Sequence, residues 1–195
     1  EKNKWVQGPE TSGYAITKYS AEKEVWRANE EGLNVCIVNP SVILGPGNIH
    51  ESSNTIFNSV KNGLKYYTNG VNAMTDARDV AKVMFLLMEK NIFGERFLCF
   101  TENISFKDLT EKIAQEFEVK PPYKEASPFL TGFAWRFESF RTRLFGGKPK
   151  LTKENAISAF SKSYYSHAKL VDQLDYTFYT MDETVANAVA FYKNN

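Results

Sequence analysis

The stretch TSGYAITKYSAEKEVWRANEEGLNVCIVNP, residues 11–40, sets the fold class. Thr11 and Ser12 carry hydroxyls that can accept a backbone N–H at a helix start. The residues from Gly13 to Glu31 are therefore predicted to form a helix. Gly32 then stands where a helix ends with a glycine. Asn34-Val35-Cys36-Ile37-Val38-Asn39 follows as an apolar run without alternation, the pattern of a strand buried on both faces. Helix, short loop and buried strand form half of a βαβ unit, which argues for an α/β domain with a parallel sheet.

Downstream, Pro40 to His50 reads as a loop around Gly45-Pro46-Gly47, and a helix is expected from Ser53 to Asn62. Asp79 opens a periodic helix with Val80, Val83, Met84, Leu87 and Met88 on one core-facing stripe. Arg96-Phe97-Leu98-Cys99-Phe100 is expected to be a strand. Ser105 and Asp108 form a capping-box variant ahead of a helix that Pro121-Pro122 ends. The second half reads as mostly helical. Phe129, Phe133, Phe137, Phe140 and Leu144 recur at helical spacing and Gly146-Gly147 breaks the run. A last helix is opened by Thr180 and Glu183.

Composition narrows the function classes. The 24 basic and 23 acidic residues of the 195 nearly balance, so there is no electrostatic footprint for nucleic acid. The two cysteines, Cys36 and Cys99, sit in short apolar runs and read as reduced core thiols rather than a disulfide framework. No apolar stretch reaches the ~20 residues of a membrane span, and the expected location is the cytoplasm. His50 and His167 stand apart from other ligand-type residues, so no metal site is expected. The aromatic stripe from Phe129 could dock a membrane surface, since Arg136, Arg141 and Arg143 lie beside it. Packing as core or as a pocket wall is the expected outcome, so membrane contact is not anticipated. The chain starts on Glu1 and reaches its first motif within a few residues, which reads as a cut in a longer chain.

Tyr14 and Lys18 are four apart in the first helix and project from one face, one turn apart. A phenol with a pKa near ~10 moves protons poorly at neutral pH. A neighbouring ammonium favours the phenolate and brings such a group toward the working range. The pair is thus a plausible device for exchanging a proton with a carbonyl or carbinol oxygen, although the same spacing also arises in ordinary helices.

Three blocks in order carry a family resemblance. Tyr14-Ala15-Ile16-Thr17-Lys18 with Ser20-Ala21-Glu22, then Val38-Asn39-Pro40-Ser41-Val42-Ile43-Leu44-Gly45-Pro46-Gly47, then Met74-Thr75-Asp76-Ala77-Arg78-Asp79-Val80-Ala81 resemble the extended short-chain dehydrogenase/reductases, the NAD-dependent epimerase/dehydratase superfamily. The resemblance implies that Tyr14 is the general acid/base and that Lys18 tunes it and binds the nicotinamide ribose. It implies that the Pro40, Ser41, Val42 and Ile43 backbone holds the nicotinamide of NADP or NAD, with NADP favoured. Ser53 or Thr55 would be candidates to reach a phosphate. Residues 1–100 would be the C-terminal part of a Rossmann-type domain, with lobe segments interleaved near 45–75. Residues 101–195 would form a small, mostly helical substrate lobe.

The family's Gly-rich phosphate loop and its carbonyl-polarising serine or threonine find no counterpart here. The dinucleotide is thus expected to be bound mainly by an N-terminal part, and the isolated chain is expected to be inactive. Asn39 before Pro40 and Ser41-Val42-Ile43-Leu44 after it are more similar to the dihydroflavonol-4-reductase and hydroxysteroid dehydrogenase branch than to the sugar-nucleotide branch. So are Leu151-Thr152-Lys153-Glu154-Asn155 and Lys169. The expected activity is that of a carbonyl reductase or alcohol dehydrogenase acting on a small carbonyl or alcohol substrate. A nucleotide-sugar epimerase/dehydratase and a non-catalytic dinucleotide sensor remain alternatives. A homodimer through the Tyr14 helix is a family expectation.

Overall fold

In the computed structural model, residues 5, 6, 8, 11–146 and 153–194 are described. Gly147, Leu151 and Thr152 lie outside the described residues, as do the side chains of Phe133, Lys153, Glu154 and Asn155. Helix α1 (Gly13–Glu30) leads to β1 (Cys36–Pro40), which pairs in parallel with β5 (Glu95–Cys99). Between them lie β2 (Val42–Leu44), α2 (Thr55–Lys61), β3 (Tyr66–Tyr67), β4 (Val71–Asp76) and α3 (Ala77–Glu89). After β5 come β6 (Glu102–Ser105), α4 (Phe106–Phe117), β7 (Lys124–Glu125), α5 (Pro128–Phe145), α6 (Lys153–Ser158), α7 (Ala168–Leu174) and α8 (Met181–Asn194). The α/β class with parallel strands is as the sequence indicated.

Alternation along β1 and β5 builds a three-layer arrangement. Phe97 and Cys99 are buried with Val83 and Leu87 of α3 and Leu170 and Leu174 of α7, and Cys36 and Val38 pack against this cluster. On the opposite face Ile37, Asn39 and Arg96 line a cleft with α1. The expected double burial of the strand is only partly met. Cys36 to Asn39 are half-buried, because α1 covers their second face without burying any of its own residues and β5 is the strand paired with β1 among the described residues.

The second core lies under a separate small sheet in which β4 is parallel to β2 and antiparallel to β6. Phe57 and Val60 of α2, Leu109 and Ile113 of α4, and Val185 and Val189 of α8 fill it around Leu44 and Met74. The Tyr192 hydroxyl donates to the Gly45 carbonyl at 3.0 Å and ties α8 to the loop after β2. A side chain at Gly45 would bring its Cβ to 3.1 Å from that of Ala77, so this approach needs glycine.

Four sequence expectations change. The loop expected from Pro40 to His50 contains β2, because Val42-Ile43-Leu44 finds a ladder partner in β4 that the neighbouring Gly/Pro signals obscured. The helix expected to open at Asp79 begins at Ala77, capped by the Asp76 carboxylate, which accepts from Arg78 N at 2.7 Å. Its buried stripe is Asp79, Val83 and Leu87, whereas Met84 and Met88 face solvent. Asp79 can take the inward place because Tyr176 Oη donates to it at 2.7 Å. Finally, the helical second half also contains β6 and β7, which are short strands without apolar alternation.

Candidate functional site

Ser12 accepts from Ala15 N at 3.1 Å, so the hydroxyl expected to cap α1 does so. Tyr14 follows in the first turn at 76 % exposure, and Lys18 is exposed one turn on. Four residues further on, Glu22 on the same face fixes where the pair lies. Its Oε1 accepts from Arg96 at 2.7 Å and from Trp26 Nε1 at 3.3 Å, and its Oε2 accepts from Asn39 at 3.2 Å. One carboxylate thereby joins α1 to β5 and to the C-terminal end of β1.

The helix rises 1.5 Å per residue, so Lys18 and Tyr14 stand about 6 and 12 Å beyond Glu22 along its axis. The bond from Asn39 sets Glu22 at the carboxyl end of β1, and Lys18 and Tyr14 lie on the same helix face, further toward its N-terminus. In open α/β sheets the carboxyl end of a strand is where ligands bind. Lys18 also lines a cleft of about 640 Å³ with Ala15, Tyr19, Glu22, Ile37 and Asn39. Trp5 stacks on Tyr19 at 4.3 Å between ring centroids and closes one side of it.

Electrostatically Glu22 is a stable anion. Burial alone pushes its pKa up, but the hydrogen bonds from Arg96, Asn39 and Trp26 outweigh that and hold it below the usual carboxylate range. Sequence reasoning quoted Glu22 without giving it a role. The available signal is its spacing, four residues after Lys18, together with a basic residue, Arg96, on an expected strand.

The Pro40–Ile43 segment crosses from one sheet to the other at this same end. Pro40 closes β1, Ser41 N donates to Cys99 O at 3.1 Å, and Val42 and Ile43 open β2. Ser41 Oγ is buried and has no hydrogen-bond partner among the described residues. An unpaired hydroxyl in a strand-end crossover suits a polar ligand lying against this backbone. Beyond it lies a pocket of about 280 Å³ walled by Val42, Leu44, Ile56, Met74, Phe106 and Leu109, with Ser53 and Thr55 at its edge. Those two hydroxyls donate inward, Ser53 to Ile43 O and Thr55 to Ser52 O at 2.8 Å.

Across the sheet, Asp76 and Asp79 at the start of α3 diverge. Burial raises the pKa of Asp76, but bonding to Arg78 outweighs this and holds it low, whereas burial keeps that of Asp79 above its ordinary value. Arg78 pairs with Asp76 at 2.6 Å and lies 3.9 Å over the Tyr179 ring. This cluster locks the segment before α8. Burial also pushes the Cys99 thiol up to about 12. Both cysteines are free. His167 stacks between Phe100 and Phe178. Among the described residues there is no group of three or more metal-ligating side chains, and no helix is long and apolar enough to cross a membrane.

Residues 2–98 match the model of the NAD dependent epimerase/dehydratase family. A putative dihydroflavonol 4-reductase of Synechocystis sp. is 26% identical over 189 residues, covering 93% of this chain and 55% of that protein. The chain thus spans little more than half of that relative's length. A solved nucleoside-diphosphate-sugar epimerase from Pseudomonas aeruginosa superposes with a TM-score of 0.74 at 22% identity, over 96% of this chain and 57% of that one. RMD from Pseudomonas aeruginosa, solved in complex with NADPH, superposes with a TM-score of 0.62 at 16% identity, over 93% and 56% of the two chains. The two structures establish the shared fold. Through residues 2–98, which contain α1, β1 and the crossover at their end, this chain belongs to the NAD dependent epimerase/dehydratase family.

Proposed function

We propose that the whole protein is an NAD(P)-dependent oxidoreductase of carbonyl reductase or alcohol dehydrogenase type, with Tyr14 and Lys18 as its proton-transfer pair. The observation that supports this reading is the Glu22 anchor, which joins the helix bearing Tyr14 and Lys18 to Asn39, the residue before Pro40 at the end of β1. A bound nicotinamide dinucleotide supplies or accepts the hydride. Lys18 and the Pro40, Ser41, Val42 and Ile43 backbone would hold its nicotinamide end, with the unpaired Ser41 hydroxyl as an additional polar contact.

Tyr14 gives its phenolic proton to the substrate oxygen in reduction and takes it back in oxidation. The Lys18 ammonium stabilises the phenolate left behind. The apolar pocket beyond Val42 receives the hydrocarbon part of the substrate. Among the described residues its lining contains no basic side chain to meet a diphosphate, which favours a small apolar carbonyl compound over a nucleotide sugar. The similarity to a dihydroflavonol 4-reductase supports the same choice.

Oxidation of NADPH and of NADH by the full-length protein, followed across ketones, aldehydes and nucleotide sugars, tests this reading. Turnover with an apolar ketone or aldehyde, faster with NADPH, is expected. Turnover restricted to nucleotide sugars would replace it with the epimerase/dehydratase reading.

A further inference from the structure

The aromatic stripe of α5 is not core. Phe129, Phe137, Phe140 and Leu144 are 83%, 61%, 62% and 59% exposed, so of the two expected outcomes, core or pocket wall, packing as core is not met by these described side chains. The principal packing partner of α5 among the described elements is the short α6, too small to cover an 18-residue helix. At about 100° per residue the four side chains fall within roughly 80° of arc, a single apolar seam. Arg136 and Arg143 lie along one edge of that seam and Arg141 along the other.

Charge on this segment is one-sided. Six of the chain's 24 basic residues but only one of its 23 acidic residues, Glu138, lie between Pro128 and Lys153. The remainder of the chain is accordingly net acidic. A second copy of α5 packed on this seam would set one cationic segment against another with almost no acid to offset it. An anionic lipid surface answers both features at once, since it takes apolar rings into the acyl boundary and offers phosphates to the arginines.

We propose that α5 lies in the plane of an anionic membrane surface, with Phe129, Phe137, Phe140 and Leu144 inserted and Arg136 and Arg143 at headgroup level. The helix does not span, in keeping with the absence of a sufficiently long apolar helix among the described residues.

Sedimentation of the full-length protein with vesicles tests this, using phosphatidylcholine alone and phosphatidylcholine mixed with phosphatidylglycerol. Pelleting is expected with the mixed vesicles and not with phosphatidylcholine alone, and it should weaken as salt is added. The double substitution Phe137→Ser and Phe140→Ser should reduce vesicle affinity by at least roughly tenfold while leaving the circular dichroism spectrum unchanged, because both rings are exposed. No pelleting with either vesicle overturns the proposal. So does equal pelleting with both, or pelleting that survives the double substitution. A double variant that merely loses self-association, without any vesicle binding, assigns the face to a second copy and overturns it as well.

Discussion

Helices α1 and α5 are both 18 residues long, yet the molecule treats them differently. No residue of α1 is buried, but Glu22 joins it by polar bonds to β1 and β5. α5 is set against α6 and turns a seam of phenylalanines outward. The difference teaches that exposure alone does not define a working surface. What matters is which chemistry is exposed and what fixes its position. α1 carries an exposed phenol and an ammonium, which the proposed reading assigns to proton transfer, on a helix held by a partly buried ion pair. α5 presents hydrocarbon bordered by arginine, which is complementary to a surface rather than to a small molecule.

The start of α3, with its buried carboxylate, gives the scale against which both helices can be judged. Asp79→Ala would leave the Tyr176 hydroxyl and the Tyr179 N–H without their acceptor. It should cost about 3 kcal/mol of stability, measured by urea unfolding. A loss below about 1 kcal/mol would show that this cluster does not hold the segment before α8.

Glu22→Ala should cost about 1–3 kcal/mol, since it removes the acceptor that Arg96, Asn39 and Trp26 share at a partly buried seam. Hydrogen exchange should show the loss concentrated in α1. If exchange in α1 is unchanged, the helix is located by something other than this carboxylate, and the contrast with α5 weakens.

The pH dependence follows from the direction of the Glu22 shift. Its pKa is lower folded than unfolded, so its contribution is present above the ordinary carboxylate pKa and fades as pH falls through the lower folded value. Thermal melts of the wild type and Glu22→Gln should therefore differ at pH 7 and converge as the pH falls below the ordinary carboxylate range. Asp79 works in the opposite sense: its raised pKa favours the fold at low pH and offsets part of the acid loss.

The smallest effect belongs to α5. Phe137→Ala should change stability by no more than about 0.5 kcal/mol, as an exposed site does, whereas a ring in the core would cost about 3–5 kcal/mol. A loss in the larger range would mean that the stripe packs inside the full-length protein.

Much of this arrangement was legible in the residues. The α1–β1 unit, the Ser105 and Thr180 caps and the β5 strand follow from capping chemistry and apolar runs, and the structure carries them within a residue or two. β2 was hidden because a three-residue strand has too little pattern to compete with the Gly45-Pro46-Gly47 signal beside it. Met84 and Met88 misled because periodicity marks a stripe without showing where it is centred. Asp79 took a core position that no apolar count assigns to a carboxylate. The spacing along α5 marks a stripe, but a stripe does not say whether its partner is protein. Glu22 escaped notice because its role depends on Asn39 and Arg96, 17 and 74 residues away along the chain.

The central claim is that α1 carries the proton-transfer pair, and Tyr14→Phe in the full-length protein tests it most directly. NADPH binding, followed by the fluorescence of the bound cofactor, should stay within about twofold of wild type while kcat falls by about 10²–10⁴. Retained turnover in Tyr14→Phe, with cofactor bound, would contradict the account and remove Tyr14 from the chemistry.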